Sequence, residues 1–196
     1  MTEDKEKCSW CKSSPLLEKY HDEEWGVPVH DDTLHFEYLL LESMSCGLSW
    51  TLILKKRAIL QDCFADFDYN KIALFDDSDI QRIMNTNGMI HSLRKIKGII
   101  NNALRFIEIR KEFDSFNHYI WHFTNGKTVV YKSHMDGLWE TRNTLSDQIA
   151  KDLKKRGLKF VGSVILYSHL QGIGIINDHQ PSCSRYRPLS TNVIMV

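Results

Sequence analysis

The chain has no surplus charge of either sign: 25 Lys and Arg balance 25 Asp and Glu over 196 residues. A global field that would gather nucleic acid is therefore excluded, and any contact with a polyanion has to come from local basic clusters. There is no unbroken long apolar run. The nearest approach, Phe160 to Ile176, is interrupted by Gly162, Ser163, Ser168, His169, Gln171, Gly172 and Gly174, which suits a buried core helix and not a membrane span. Met1 to Lys7 is charged and lacks an apolar core, so no secretory leader is expected and the chain reads as cytoplasmic. Its five cysteines, an odd number in a chain of that kind, argue against a disulfide framework and for reduced thiols or a metal site. Repeats, low-complexity tracts and Gly/Pro/Ser-rich linkers are missing as well, so one domain spanning 1–196 is expected.

Ordinary globular composition remains, 42% apolar and 26% charged, and helix signals dominate it. Ser14-Pro15 offers an N-cap followed by proline at the first helical position. Asp31-Asp32 precedes a broad apolar stripe from Thr33 to Met44, and Ser49 is placed to cap a helix running to about Cys63. Ser78 with Gln81 matches a capping box. Lys95 to Glu112 repeats apolar residues at helical spacing. Ser146 opens a helix from Gln148 to Arg156 that Gly157 can close, and Phe160 to Ile176 follows. Only Thr124 to Tyr131, with Asn125-Gly126 beside a β-branched run, predicts a small hairpin or turn. The fold class is all-α, with a small lobe in which the chain ends meet.

Three constellations carry chemistry. Cys8, Cys11 and His21 near one end, with His179 and Cys183 near the other, have the residue types of a tetrahedral zinc site. Spacing alone leaves Cys8 and Cys11 as alternatives, and packed thiols beside ordinary histidines as a third. Trp10, Tyr20, Trp25 and Trp50 crowd the first quarter of the chain, with Glu42 at the end of an apolar helix. Rings and a carboxylate suit a flat cation, although core packing explains most aromatics. Ile83 to Ile90 with Gly88 forms a turn between helices that leads into Arg94, Lys95 and Lys97. Exposed N–H groups at such a helix start can hold a DNA phosphate. A second basic run, Lys154-Lys155-Arg156-Gly157-Leu158-Lys159, lies at another junction, and a charge run of this kind also fits a solvated face.

Taken together, His21 to Pro28, Gly47-Leu48-Ser49-Trp50, Leu153 to Gly157 with Lys159 to Gly162, and Asn177-Asp178-His179 resemble the 3-methyladenine DNA glycosylase I family, from about Cys8 to Tyr186. The resemblance implies a helix-hairpin-helix glycosylase fold. It implies core helices at about 33–112 and a zinc-stapled lobe from about 1–30 and 115–190. Cys8, His21, His179 and Cys183 match the zinc positions. The resemblance gives base recognition to Glu42, an aromatic pocket to Tyr20, Trp50 and Trp10, and a substrate-contacting position to Ser45. Gly47 and Leu48 match the segment against the gap left by a flipped nucleotide. Gly88, Ile90, Arg94 and Lys95 fall in the matching phosphate-binding hairpin. The implied activity is release of 3-methyladenine from alkylated double-stranded DNA by a monomer, with water as attacker and no catalytic Asp. Ser45 stands where the family has Gln, Leu17 at an aromatic position, His91-Ser92 for Arg-Asn, and Leu158 for Phe. Those departures motivate the alternative of a weakened relative that binds damaged DNA without efficient excision.

Overall fold

The computed structural model describes residues 6–196, and of Met135 the backbone only. Residues 1–5, part of the charged segment read above, lie outside the described residues. Among the described residues ten α-helices carry the fold: α1 Pro15–Glu23, α2 Asp32–Ser45, α3 Trp50–Cys63, α4 Tyr69–Ile72, α5 Asp77–Asn85, α6 Leu93–Phe113, α7 Phe116–Trp121, α8 Lys132–Met135, α9 Thr144–Lys155 and α10 Ser163–Gly172. The same described residues hold two strands, β1 Thr128–Val130 and β2 Val193–Met195. Among the described residues no helix is long and apolar enough to cross a membrane.

Local chemistry explains several boundaries. The side chains of Ser14, Asp31 and Ser49 accept from the backbone N–H three residues on, at Leu17, Leu34 and Leu52, and so start α1, α2 and α3 as their sequences predict. Two expected starts move upstream. α5 opens with Asp76 and Asp79 as a reciprocal capping box, not with Ser78 and Gln81. α9 opens with Asn143 and Ser146, so Ser146 is the third helical residue and not the cap. In both, an Asx side chain is available nearer the preceding loop and takes the free N–H groups first.

The helix expected over Phe160 to Ile176 is shorter, Ser163–Gly172. Phe160 is held at φ +58° and Gly174 at φ +76°, outside helical space at both ends. The hairpin expected at Asn125-Gly126 is also replaced. Both residues are left-handed, at φ +52° and +71°, but they end a helical turn. β1 then pairs in parallel with β2, Val129 opposite Ile194, and Ile176 bridges to Val129 as well.

α2 is buried almost all round, from His35 to Ser45, which makes it the central helix. α6 packs Ile96, Ile99, Ala103, Phe106 and Ile109 inward, with Phe106 stacked on Phe116 at 4.3 Å. Residues 26–29 run along the end of α10: Gly26 N–H donates to Gln171 O and Val29 N–H to Ile173 O. Only glycine fits at 174, where a Cβ would stand 2.5 Å from Pro28 N. This close approach carries α1 against the segment that follows α10.

Candidate active site and metal centre

Bringing those segments together assembles four ligand atoms. Cys8, His21, His179 and Cys183 are all buried, and their ligand atoms lie within 4.8 Å of one another. Cys183 Sγ is 3.4 Å from His21 Nε2 and 3.6 Å from His179 Nδ1, and Cys8 Sγ is 3.6 Å from the same Nδ1. The outer contacts orient each ring. His21 Nδ1 faces Asp22 Oδ1 at 2.8 Å, and His179 Nε2 faces Trp25 O at 3.1 Å, which leaves the inward nitrogens free to ligate. Backbone N–H groups of Gln180 and Arg185 donate to the two sulfurs. Burial pushes the Cys8 thiol up to about 12, so a thiolate there needs a cation beside it. Cys11 is not part of the group: its thiol donates to Cys8 O. This buried set of two cysteines and two histidines can bind a metal.

The second constellation opens as a cleft of about 500 Å³. Trp10, Tyr20, Glu42, Ser45, Leu48 and Trp50, all singled out from sequence, line it. Trp25, Trp139, Glu140, Gln171 and Asp178 line it too. The Tyr20 and Trp50 ring centroids are 5.5 Å apart, and Trp10 lies 6.5 Å from Tyr20. Leu17 does not belong to this wall; it packs in the core. Glu42 is only 5% exposed. Ser45 Oγ donates to Glu42 O at 2.8 Å and approaches Glu42 Oε2 at 3.3 Å. Burial raises the Glu42 carboxyl to about 8, against a small opposing effect of the Ser45 hydroxyl. Sequence reasoning missed Trp139, Glu140 and Gln171, which reach the cleft from distant segments. Asp178 stood beside a recognised ligand in Asn177-Asp178-His179, and that adjacency was the available signal.

The basic face needs one correction. Lys95 is 8% exposed, and its Nζ donates to Met44 O and Cys46 O, each at 2.7 Å. The ammonium closes the C-terminal end of α2 with two of its three N–H groups, so little of it is exposed for the phosphate contact that the hairpin match implies. Arg94 and Lys97 on the same turn are exposed. With Lys159, Gly98, Asn101 and Phe160 they line a groove of about 590 Å³. Gly88 turns the chain at φ +79° before α6, and Ile90 is half-buried behind it. Ser92 gives α6 no side-chain cap. Gly47, at φ +77°, and Leu48, 37% exposed, form the turn that Lys95 anchors. Arg94 lies over the Phe160 ring at 5.3 Å, which joins the α9–α10 hairpin to this face.

A sequence model of the methyladenine glycosylase family matches residues 10–186. DNA-3-methyladenine glycosylase 1 of Escherichia coli strain K12 is 39% identical over 181 residues, covering 92% of this chain and 97% of that one. DNA-3-methyladenine glycosylase of Haemophilus influenzae is 34% identical over 177 residues, covering 90% and 96%. Among solved structures, the 3-methyladenine DNA glycosylase I of Staphylococcus aureus superposes with a TM-score of 0.86 at 34% identity, covering 92% of this chain and 96% of that one. A cleft of rings and carboxylates beside a Cys/His cluster that joins the chain ends thus sits on a fold shared along nearly the whole length, and this chain belongs to the methyladenine glycosylase family.

Proposed function

We propose that this protein is a DNA repair glycosylase that hydrolyses the N-glycosidic bond of 3-methyladenine in alkylated DNA, releasing the free base and leaving an abasic site. The observation that carries the reading is the charge of the cleft. Glu42, Glu140 and Asp178 line it among aromatic rings, and no Lys or Arg does among the described residues. N3-methylation makes adenine a cation, whereas undamaged adenine is neutral. Ring faces of Trp50, Tyr20 and Trp10 attract the cation, and Glu42 accepts its N–H groups. With its carboxyl raised to about 8, Glu42 is readily protonated when the cleft is empty and is drawn into the ionised form by a cationic guest. Neutral adenine receives no such response. The relatives named for 3-methyladenine agree with this chemistry.

Extrusion of the base from the duplex must precede its capture. The exposed Leu48 and Gly47 are placed to fill the gap left behind. Arg94, Lys97 and Lys159, with the uncapped start of α6 after Gly88 and Ile90, take the phosphates of double-stranded DNA. A methylated cationic base is already a good leaving group, so water attacks without a protein nucleophile. The chain acts as a monomer in the cytoplasm. The metal is zinc, because two thiolates and two imidazoles in a buried tetrahedral set are its preferred donors. A closed shell of four protein ligands leaves no place for a water, so the zinc is structural.

The test is release of free 3-methyladenine from a duplex that contains it, by wild type and by Glu42→Gln. Tight binding to a duplex with an abasic-site analogue and no release would favour the weakened relative. Ser45 beside Glu42, and Leu17 turned into the core, are the observations on its side.

A further inference from the structure

The wall that α10 gives to the cleft takes no part in the recognition described so far. Gln171 stands on its last turn. The neighbouring Gly172 packs against aromatic side chains: a Cβ there would lie 3.3 Å from Tyr20 Oη and 3.4 Å from Tyr38 Cδ1. Gln171 and Tyr20, one of the rings proposed to receive the base, both line the cleft. Its Nε2 donates to Asp178 Oδ2 at 2.6 Å, and the Tyr167 hydroxyl donates to the same oxygen at 2.7 Å. The other oxygen, Asp178 Oδ1, lies 2.7 Å from His134 Nδ1. Asp178 thus has protein groups against both oxygens. It lines the cleft with its Oδ2 taken by two donors. What it does fix is the carboxamide of Gln171. With the amide N–H turned to the carboxylate, Oε1 is left as an acceptor with no partner among the described residues.

We propose that Gln171 is a catalytic residue whose Oε1 holds the water that attacks C1′ of the damaged nucleotide, and that Asp178 is the positioning residue that aims it. The proposal rests on the glycosylase reading above. In the step, the C1′–N9 bond breaks and its electron pair goes to the base, which leaves as neutral 3-methyladenine. The water oxygen forms the new bond to C1′, and its proton passes to solvent. The leaving group departs as a pre-formed cation, so the water needs aim more than deprotonation, and a neutral acceptor supplies aim. The same neutrality makes Gln171 a poor recognition group, because an uncharged oxygen distinguishes little between a cationic base and adenine.

The experiment measures single-turnover excision from a duplex containing 3-methyladenine, beside the affinity for free 3-methyladenine, for wild type, Gln171→Leu, Gln171→Ala, Asp178→Asn and the Gln171→Leu/Asp178→Asn pair. Melting curves confirm which variants fold, and Gln171→Ala serves if the leucine does not. The Gln171 variants are expected to excise about tenfold more slowly or worse, with free-base affinity within about twofold of wild type. Asp178→Asn is expected to slow excision, and the pair to be no slower than Gln171→Leu alone, because both losses pass through one water. A Gln171 variant that excises at the wild-type rate overturns the role. Loss of free-base affinity in step with rate overturns it too, as do additive losses in the pair. A wild type that releases no base overturns the glycosylase reading and this role with it.

Discussion

At the scale of the residue, the role proposed for Glu42 sets function against stability. Its carboxyl sits near 8 when folded, against an ordinary value of 4.5, because burial penalises the charge. The folded state therefore holds the proton more tightly than the unfolded chain. That contribution to stability is complete below pH 4.5 and is lost as pH rises towards 8. Glu42→Gln removes the titration. It should be more stable than wild type at pH 8, by on the order of a few kcal/mol at most, and so melt at a higher temperature. The same substitution should cost roughly tenfold to a hundredfold in excision of 3-methyladenine, the value of a charged hydrogen bond. Excision by wild type should rise with pH towards about 8, as Glu42 ionises, and this rise should be absent from Glu42→Gln. His169 is a second residue whose burial opposes its charged form. It is fully buried on α10, neither ring nitrogen has a partner among the described residues, and burial lowers it to about 3. Here the unfolded chain takes the proton first, so stability is complete above pH 6.5 and falls as pH drops towards 3. His169→Phe, of similar shape, should raise the melting temperature and flatten its decline between those pH values.

At the scale of the element, the starts of α1, α2 and α3 were legible because a cap is local: side chain and N–H are three residues apart. What was not legible depends on partners distant in sequence. Phe160 leaves helical space because its ring lies against Gly98, where a Cβ would meet Phe160 Cε2 at 2.5 Å. β1 looked like half of a hairpin because its partner, β2, is at the other end of the chain. Lys95 looked like a phosphate ligand because nothing in its own helix shows that the carbonyls of Met44 and Cys46 await it. The site divides the same way. Glu42 to Trp50 were readable in one stretch, whereas Gln171 and Trp139 join them only through folding. The inward lysine gives a separable expectation. Arg94→Ala, Lys97→Ala and Lys159→Ala should each weaken binding to every duplex alike and lower the slope of log affinity against log salt by about one. Lys95→Met should leave that slope unchanged. It should lower stability by roughly 1–3 kcal/mol, because one buried and one part-buried carbonyl lose their donor, and slow excision by loosening the Gly47-Leu48 turn. Titrations at several salt concentrations, with melting curves, separate the two classes.

At the scale of the whole molecule, the chain ends are joined by few covalently local contacts. Ser184 N–H donates to Glu6 O, and Ser9 N–H donates to Gln180 Oε1. A further tie is the buried group of Cys8, His21, His179 and Cys183. Without a metal, this group crowds two thiols and two imidazoles into a dry space. Burial drives Cys8 up and His179 down, to about 12 and about 4, so both neutral forms are favoured and the attraction that would hold them together is missing. With a divalent metal, two thiolates balance the ion, and binding free energy becomes folding free energy. The ligands are also mechanically linked to the cleft. Asp178 precedes His179, and the Trp10 ring lies 5.6 Å from His21 and 5.0 Å from Trp25. Removal of the metal by a strong chelator should therefore lower the melting temperature first and excision only as the fold loosens, while excision by protein that remains folded persists. Cys8→Ser should bind the metal more weakly and melt lower, whereas Cys11→Ser, outside the ligand set, should retain one metal per chain by elemental analysis. A Cys8→Ser/His179→Ala protein that kept its metal and its melting temperature would show that the ends are held by packing alone.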